Sequence, residues 1–493
     1  MAENPSTLGA LRESGIHPRG VRDELRENLI SALRRGESLF PGIIGYEETV
    51  VPQVVNAILS RHDILLLGLR GQAKTRLARG IQALLDAETP VIPGDPLRSH
   101  PLAPQGAFAQ RVVAEQGDAL EIEWLPRELR YGEKLATPDV NMADLIGDID
   151  PLKAANEGLD LSNEEVIHYG IVPRTNRGVF VINELPDLAP RIQVGLLNIL
   201  EEQDIQVRGF PLRIPLDLLF VFTANPEDYT NRGSIITPLK DRIASQILTH
   251  YPEDLASAHA ITEQEAWSDR GEDAPAVIIP PFVADIVESI AFEGRVSEYV
   301  DQSSGVSARL AIAAREILVS QVERRALLSE GADPVPRLVD LDQLSTAILG
   351  KIELVYEGEQ EGAVQVARHL IGQACQKVFD AHFPDVVEEG ASDAEGKVKA
   401  DRYRPILDHF NGGHRVELSD SQSDEDYLAT LSAVPGLDKV AREFLPEAFA
   451  VAPGAAMELV LEGLHQHSMV AKEDVQRGAA YTDMMGLLMK GMR

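Results

Sequence analysis

Ile64-Leu65-Leu66-Leu67 runs directly into Gly68-Leu69-Arg70-Gly71-Gln72-Ala73-Lys74-Thr75, and a helical pattern of Leu77, Ile81, Leu84 and Leu85 follows at once. An uninterrupted apolar run of strand length predicts a strand covered on both faces, as in a parallel sheet between helices. In a strand, loop and helix of this order, successive backbone N–H groups and the positive end of the helix point into one concavity that suits a phosphate. Lys74 is then placed for the β- and γ-phosphates of a nucleotide, and the Thr75 hydroxyl for Mg²⁺. Ala73 stands where the usual pattern has a glycine. Alanine is tolerated there if φ is already negative at the helix start and costs something only if φ must be positive, so the loop is expected to be intact.

Two further strand ends carry polar residues. Gly178-Val179-Phe180-Val181-Ile182 is apolar throughout and ends in Asn183-Glu184. At the carboxyl end of a strand, beside a nucleotide, one carboxylate is needed for the metal shell and another to polarise the attacking water. Here only Glu184 is charged. Asn183 can accept a hydrogen bond from metal-bound water but removes one negative charge, so weaker metal affinity with a retained general base is expected. The next apolar strand, Asp217 to Phe222, leads to Thr223-Ala224-Asn225, and Asn225 is the candidate to reach the γ-phosphate and position the water. Two arginines follow, Arg242 and Arg309. The planar guanidinium fork suits the charge that develops on a transferred phosphoryl group.

Working outward, the 493 residues suggest two or three folded units rather than one core. Val21 to Gly36 places Val21, Leu25, Leu29 and Leu33 on one helical stripe, so residues 1–40 read as an N-terminal helical segment. Strand and helix patterns alternate over 41–251, an α/β core. Helical periodicity, with Leu310, Ala314, Ile317 and Leu318 as one stripe, dominates 252–356, a smaller helical domain. A helical extension occupies 357–493, with Met457, Val460, Leu461 and Leu464 as its clearest apolar face and an acidic linker near 385–400. Trp124 and Trp267 read as core or domain-interface residues, and the one cysteine, Cys375, as a small buried residue. The formal charge of −32 disfavours non-specific nucleic-acid binding. No window reaches the ~18 apolar residues of a membrane span, and the polar stretch Met1 to Gly20 has no signal-peptide core, so a cytoplasmic location is expected.

Taken together, these residues resemble the AAA+ ATPases, specifically the clade of the MoxR proteins and the ATPase subunit I of magnesium chelatase. Gly68 to Thr75, with Gly68, Gly71, Gln72, Ala73, Lys74 and Thr75 as nucleotide contacts, is similar to Walker A, and Ile182-Asn183-Glu184 to Walker B. Asn225 matches sensor 1, Arg242 the arginine finger and Arg309 sensor 2. Ile43-Ile44-Gly45-Tyr46-Glu47 looks like the segment beside the adenine, which implicates Ile44 and Tyr46. The resemblance covers roughly residues 41–356. It implies a P-loop α/β sheet flanked by helices, then a helical lid and a helical C-terminal extension. The surplus between Asn141 and Thr175 resembles the helix-2 insert of this clade, and Gln203 to Pro215 its pre-sensor-1 hairpin.

The resemblance further implies ATP and Mg²⁺ as cofactors, Thr75 and Asn183 at the metal, a hexameric ring, and work on a client protein. In this clade a partner with a von Willebrand factor A domain is usual. Its Asp-x-Ser-x-Ser motif does not occur here, because Asp301-Gln302-Ser303-Ser304-Gly305 fails at the last position. Such a partner would be another chain. Two alternatives stand beside this one: the magnesium chelatase subunit proper, and an ATP-dependent scaffold of slow turnover, which the neutral Asn183 motivates.

Overall fold

Every residue of Gly178–Asn183 is buried, and strand alternation sends Val179 and Val181 into one apolar cluster and Phe180 and Ile182 into another. The computed structural model of the chain describes residues 4–160, 163–207, 213–226, 233–271, 274–328, 334–386, 402–475 and 478–484. Its central sheet consists of β1 (Ile64–Leu67), β2 (Tyr131–Leu135), β3 (Gly178–Asn183), β4 (Leu218–Ala224) and β5 (Ser245–Leu248). The spatial order is β5-β1-β4-β3-β2 and all pairs are parallel. One face is covered by α1 (Val21–Arg35), α2 (Val50–Leu59) and α3 (Lys74–Gly80), which contribute Leu25, Leu29, Val54 and Leu77 to its core. The other is covered by α4 (Pro190–Glu202) and α5 (Thr237–Arg242), through Ile192, Leu196 and Leu239. The parallel α/β sheet between helices is therefore present as the apolar runs predicted.

Polar contacts tie α1 to this sheet. Asp217 Oδ2 accepts from the Val21 N–H at 2.8 Å, and Arg22 pairs with Asp63 at 2.8 Å. Glu24 and Arg130 form a two-armed ion pair, both arms 2.7 Å, with both residues buried. Of the expected stripe, Val21, Leu25 and Leu29 are buried, whereas Leu33, in the last turn before the left-handed cap at Gly36, is 45% exposed.

Between Asn141 and Thr175, Gly147–Ile149 pairs antiparallel with Ile167–Tyr169, and a helix spans Pro151–Glu157. Asp204–Ile205 and Ile214–Pro215 pair as the base of a hairpin; residues 208–212 lie outside the described residues. So does most of the expected acidic linker, 387–401.

The chain divides into two compact units, Met1–His250 and Tyr251–Arg493. The second has one apolar core that joins residues from Phe282 to Tyr481. Its main helices are α6 (Pro281–Gly294), α7 (Arg309–Leu328), α8 (Ala363–His382) and α9 (Pro453–Gln466). Gly454 to Leu464 is buried all round, which makes α9 the central helix of the unit. The C-terminal region is helical as expected and also carries a small antiparallel sheet, β6 (Val416–Ser419), β7 (Ala471–Val475) and β8 (Gly478–Thr482), in the order β6-β8-β7. Cys375 is buried on α8. Trp267 does not join the core: it is 65% exposed, with the Arg270 guanidinium 4.9 Å from its ring. Trp124 is partly buried and donates to the Pro5 carbonyl at 2.8 Å. Among the described residues no helix is long and apolar enough to cross a membrane.

Candidate functional site

The register of the sheet brings the ends of β1, β3 and β4 together. Leu67 pairs with Ala224 and Ile182 with Phe222, so the residues that follow, Gly68, Asn183, Glu184 and Asn225, emerge at one edge. The Gly68 N–H donates to the Ala224 carbonyl at 3.2 Å, which splices the loop onto β4. Gly68 admits no side chain: a Cβ there would lie 2.0 Å from Thr249 Oγ1 and 2.2 Å from Gln72 Oε1. Those two atoms hydrogen-bond at 2.7 Å and hold the loop against the residue after β5. Gly71 has φ +75°, a conformation that glycine adopts without penalty.

Ala73 has φ +53° and ψ +17°, so it is the costly case of the two considered above, not the tolerated one. An L-residue in this left-handed region carries roughly 1–2 kcal/mol of strain from its Cβ, and the loop keeps its shape in spite of it.

Lys74 is 6% exposed. Its ammonium donates to the Gly68 carbonyl, to the Leu69 carbonyl at 2.9 Å and to Asn225 Oδ1 at 2.6 Å. The Asn225 amide in turn donates to Glu184 Oε2 at 2.9 Å. Lysine, amide and carboxylate thus form one chain across the ends of β1, β4 and β3. Glu184 also has positive φ, +54°, and its N–H donates to Thr223 Oγ1 at 3.2 Å.

Asn183 sits beside this chain. Its Oδ1 accepts from Thr75 Oγ1 at 3.4 Å and Thr223 Oγ1 at 3.1 Å, and its Nδ2 donates to Glu133 Oε1 at 2.7 Å. Glu133, on β2, also receives Arg79 in two arms, 2.9 and 3.0 Å, and the Tyr131 hydroxyl at 2.9 Å. Partial burial would raise the Glu133 carboxyl, but the Arg79 and Tyr131 hydrogen bonds hold it below the usual carboxylate range. Sequence reading missed Glu133, Thr223 and Thr249. The only signal for Glu133 was its alternating strand, which gives no partner.

Tyr46 is buried, and its hydroxyl is directed at the carbonyls of Gln72 and His250, at 2.9 and 2.8 Å. Its ring meets His250 edge-on with centroids 5.0 Å apart. The 43–47 segment is thereby fastened to the phosphate-type loop, with Ile44 partly exposed. Arg242 closes α5 and pairs with Glu201 at 2.6 Å. Arg309 is the exposed first residue of α7 in the second unit.

The donor set fits a hard cation that takes oxygen ligands and keeps most of its water. Thr75 and Asn183 present a hydroxyl and an amide oxygen side by side. Among the described residues no group of three or more His, Cys, Asp or Glu is placed to hold a metal ion, so a cation here would depend on phosphate oxygens as well.

No family model matches the chain. Solved structures to which it is similar include a Cytophaga hutchinsonii protein described as an ATPase (16% identity, covering 71% of this chain and 95% of that one, TM-score 0.31). The magnesium chelatase complex of BchI and BchD (19%, 65% and 98%, TM-score 0.35) is another. A third is Brucella abortus NtrX in complex with ADP (16%, 66% and 58%, TM-score 0.34).

Proposed function

We propose that the chain binds and hydrolyses ATP as a ring-forming AAA+ protein of the MoxR and magnesium chelatase I type, and uses the cycle to remodel or activate a client protein. The observation that carries this reading is the bonded chain Lys74, Asn225, Glu184. Two successive hydrogen bonds link a cation, a neutral amide and a carboxylate at the mouth of a glycine loop. That is the combination phosphoryl transfer to water requires.

Entry of a triphosphate gives Lys74 a better acceptor than the loop carbonyls it now holds, since an ion pair with phosphate is stronger than a bond to a neutral oxygen. Lys74 then moves from Gly68 and Leu69 to the phosphate oxygens. Asn225, released from Lys74, turns its amide toward the γ-phosphoryl group and the attacking water. Glu184 accepts a proton from the water whose oxygen bonds to the γ-phosphorus as the bond to the β–γ bridging oxygen breaks, leaving ADP and inorganic phosphate. Bound Mg²⁺, held through Thr75 and Asn183, would neutralise charge on the β- and γ-phosphate oxygens. Tyr46 and Ile44 line the nucleoside side of the loop.

Arg242 is assigned to the neighbouring subunit's γ-phosphate. Its present partner does not prevent this, because a surface ion pair contributes only about 0–1 kcal/mol. Arg309, at the start of α7, is assigned the sensor 2 role that the resemblance gives it. A ring of such interfaces is taken as hexameric from the resemblance, and a separate chain with a von Willebrand A domain as its partner.

The test is size-exclusion chromatography of the chain with a slowly hydrolysed ATP analogue and Mg²⁺. A shift to a ring-sized species that Lys74→Ala abolishes supports the reading, and a monomer under all conditions contradicts the ring. The slow-turnover scaffold is favoured by one observation, the neutral Asn183. It predicts assembly with ATP and negligible phosphate release.

A further inference from the structure

Asn183 stands where the metal shell of such a site would have a carboxylate, yet a carboxylate is present one hydrogen bond away. Glu133 Oε1 accepts from Asn183 Nδ2 at 2.7 Å. The two residues come from adjacent strands: β2 runs parallel to β3 with Glu133 opposite Val181 and Leu135 opposite Asn183.

This contact decides which way the Asn183 amide points. The orientation seen gives Nδ2 to the carboxylate and Oδ1 to the hydroxyls of Thr75 and Thr223. A flipped amide would set its oxygen against the Glu133 carboxylate, an acceptor facing an acceptor, so the flip is disfavoured. Glu133 is itself fixed. Arg79 and Tyr131 take its remaining acceptor positions, and Arg79 lies one helical turn beyond Thr75 on α3. The helix that carries Thr75 and the strand that carries Glu133 are thereby clamped around Asn183.

We propose that Glu133 and Asn183 together replace the missing metal-shell aspartate: Glu133 is a positioning residue that aims the Asn183 oxygen at the cation and supplies the negative charge from just behind it. The inference rests on the ATP-binding reading above. It has a consequence for the obvious repair. Asn183→Asp would set an acceptor oxygen against Glu133 Oε1, where the amide now donates, and so lose the contact that aims it. The single substitution therefore should not improve the site, whereas Asn183→Asp combined with Glu133→Gln should.

The experiment measures the affinity of the full chain for a fluorescent ATP analogue with Mg²⁺ and with EDTA, and Mn²⁺ uptake in the presence of ATP by electron paramagnetic resonance. For wild type, Mg²⁺ is expected to tighten binding. Glu133→Gln should reduce that tightening, and Mn²⁺ affinity, about tenfold, the lower end for residues that orient a metal ligand. Binding in EDTA should change less than twofold, which also shows that the variant is folded. Asn183→Asp alone should gain nothing, and the double variant should recover wild-type tightening or exceed it. The double variant also serves where Glu133→Gln alone proves unstable. Unchanged Mg²⁺ tightening in Glu133→Gln overturns this inference alone, as does a tenfold gain from Asn183→Asp with Glu133 in place. No uptake of the analogue by wild type, with or without Mg²⁺, overturns the ATP-binding reading as well.

Discussion

The Lys74 ammonium lies 2.6 Å from Asn225 Oδ1. Lys74 opens α3 and Asn225 follows β4, 151 positions later in the chain; the parallel pairing of β1 with β4 makes them neighbours. The same amide continues to Glu184 at 2.9 Å, so the cation and the acid are read by one neutral side chain. Asn225→Ala is expected to leave ATP affinity within about threefold and to lower the rate of phosphate release about 10²-fold, the scale for losing one transition-state hydrogen-bond donor. Parallel binding and turnover measurements check this, and an equal loss in both would assign Asn225 to binding instead.

Ala73 at φ +53° holds strain that glycine would not. Ala73→Gly should relieve about 1 kcal/mol of it, partly offset by the greater freedom of glycine in the unfolded chain. Ala73→Val should destabilise by more, because a β-branched residue fits that region worse. Urea unfolding of the nucleotide-free protein separates the two, and a Val variant as stable as wild type would contradict the strain.

Glu24 and Arg130 are buried together, with 2.7 Å arms. Arg130→Met leaves Glu24 uncompensated and is expected to cost about 3–5 kcal/mol of stability, whereas replacing both with apolar residues should recover most of it. Glu24 Oε1 also accepts from the Asp86 N–H, so the recovery should be incomplete. Chemical denaturation of the single and double variants tests the difference.

Within the second unit, Glu458 accepts from the Leu338 N–H and the Tyr427 hydroxyl, and burial pushes its carboxyl from 4.5 up to about 7. Between those values the folded chain binds more protons than the unfolded one. Stability from this group is therefore complete below pH ~4.5 and declines as pH rises through ~7. Glu462, one turn on, acts in the opposite sense: burial would raise it, but Lys472 at 2.8 Å holds it down, so its contribution is lost only on acidification below the usual carboxylate range. Denaturation midpoints of wild type and Glu458→Gln between pH 5 and 7.5 isolate the first group. The variant should lose the decline seen in wild type, and matching profiles would contradict the assignment.

Much of this was legible in the chain itself. The apolar runs Ile64–Leu67 and Val179–Ile182 have no polar face, so only a sheet covered on both sides accommodates them, and the polar residues at their ends could be recognised as a site. Other features depend on long-range pairing. Glu133 meets Asn183 only through the register of two strands some 50 positions apart, and Tyr131 to Leu135 reads by itself as a half-exposed strand. The positive φ at Ala73 belongs to the folded loop and is recorded in no local pattern. Likewise β6 is short and pairs with β8 about 60 positions later, while Trp267 lies beside Arg270 at the surface, where hydrophobicity alone would not put it.

The most direct test of the account is steady-state phosphate release by the purified chain with ATP and Mg²⁺, beside Lys74→Ala and Glu184→Gln. The account predicts measurable release by wild type, none above background for Lys74→Ala because ATP is not held, and a loss of about 10²-fold or more for Glu184→Gln with ATP still bound. Release at the same rate by all three proteins would contradict it.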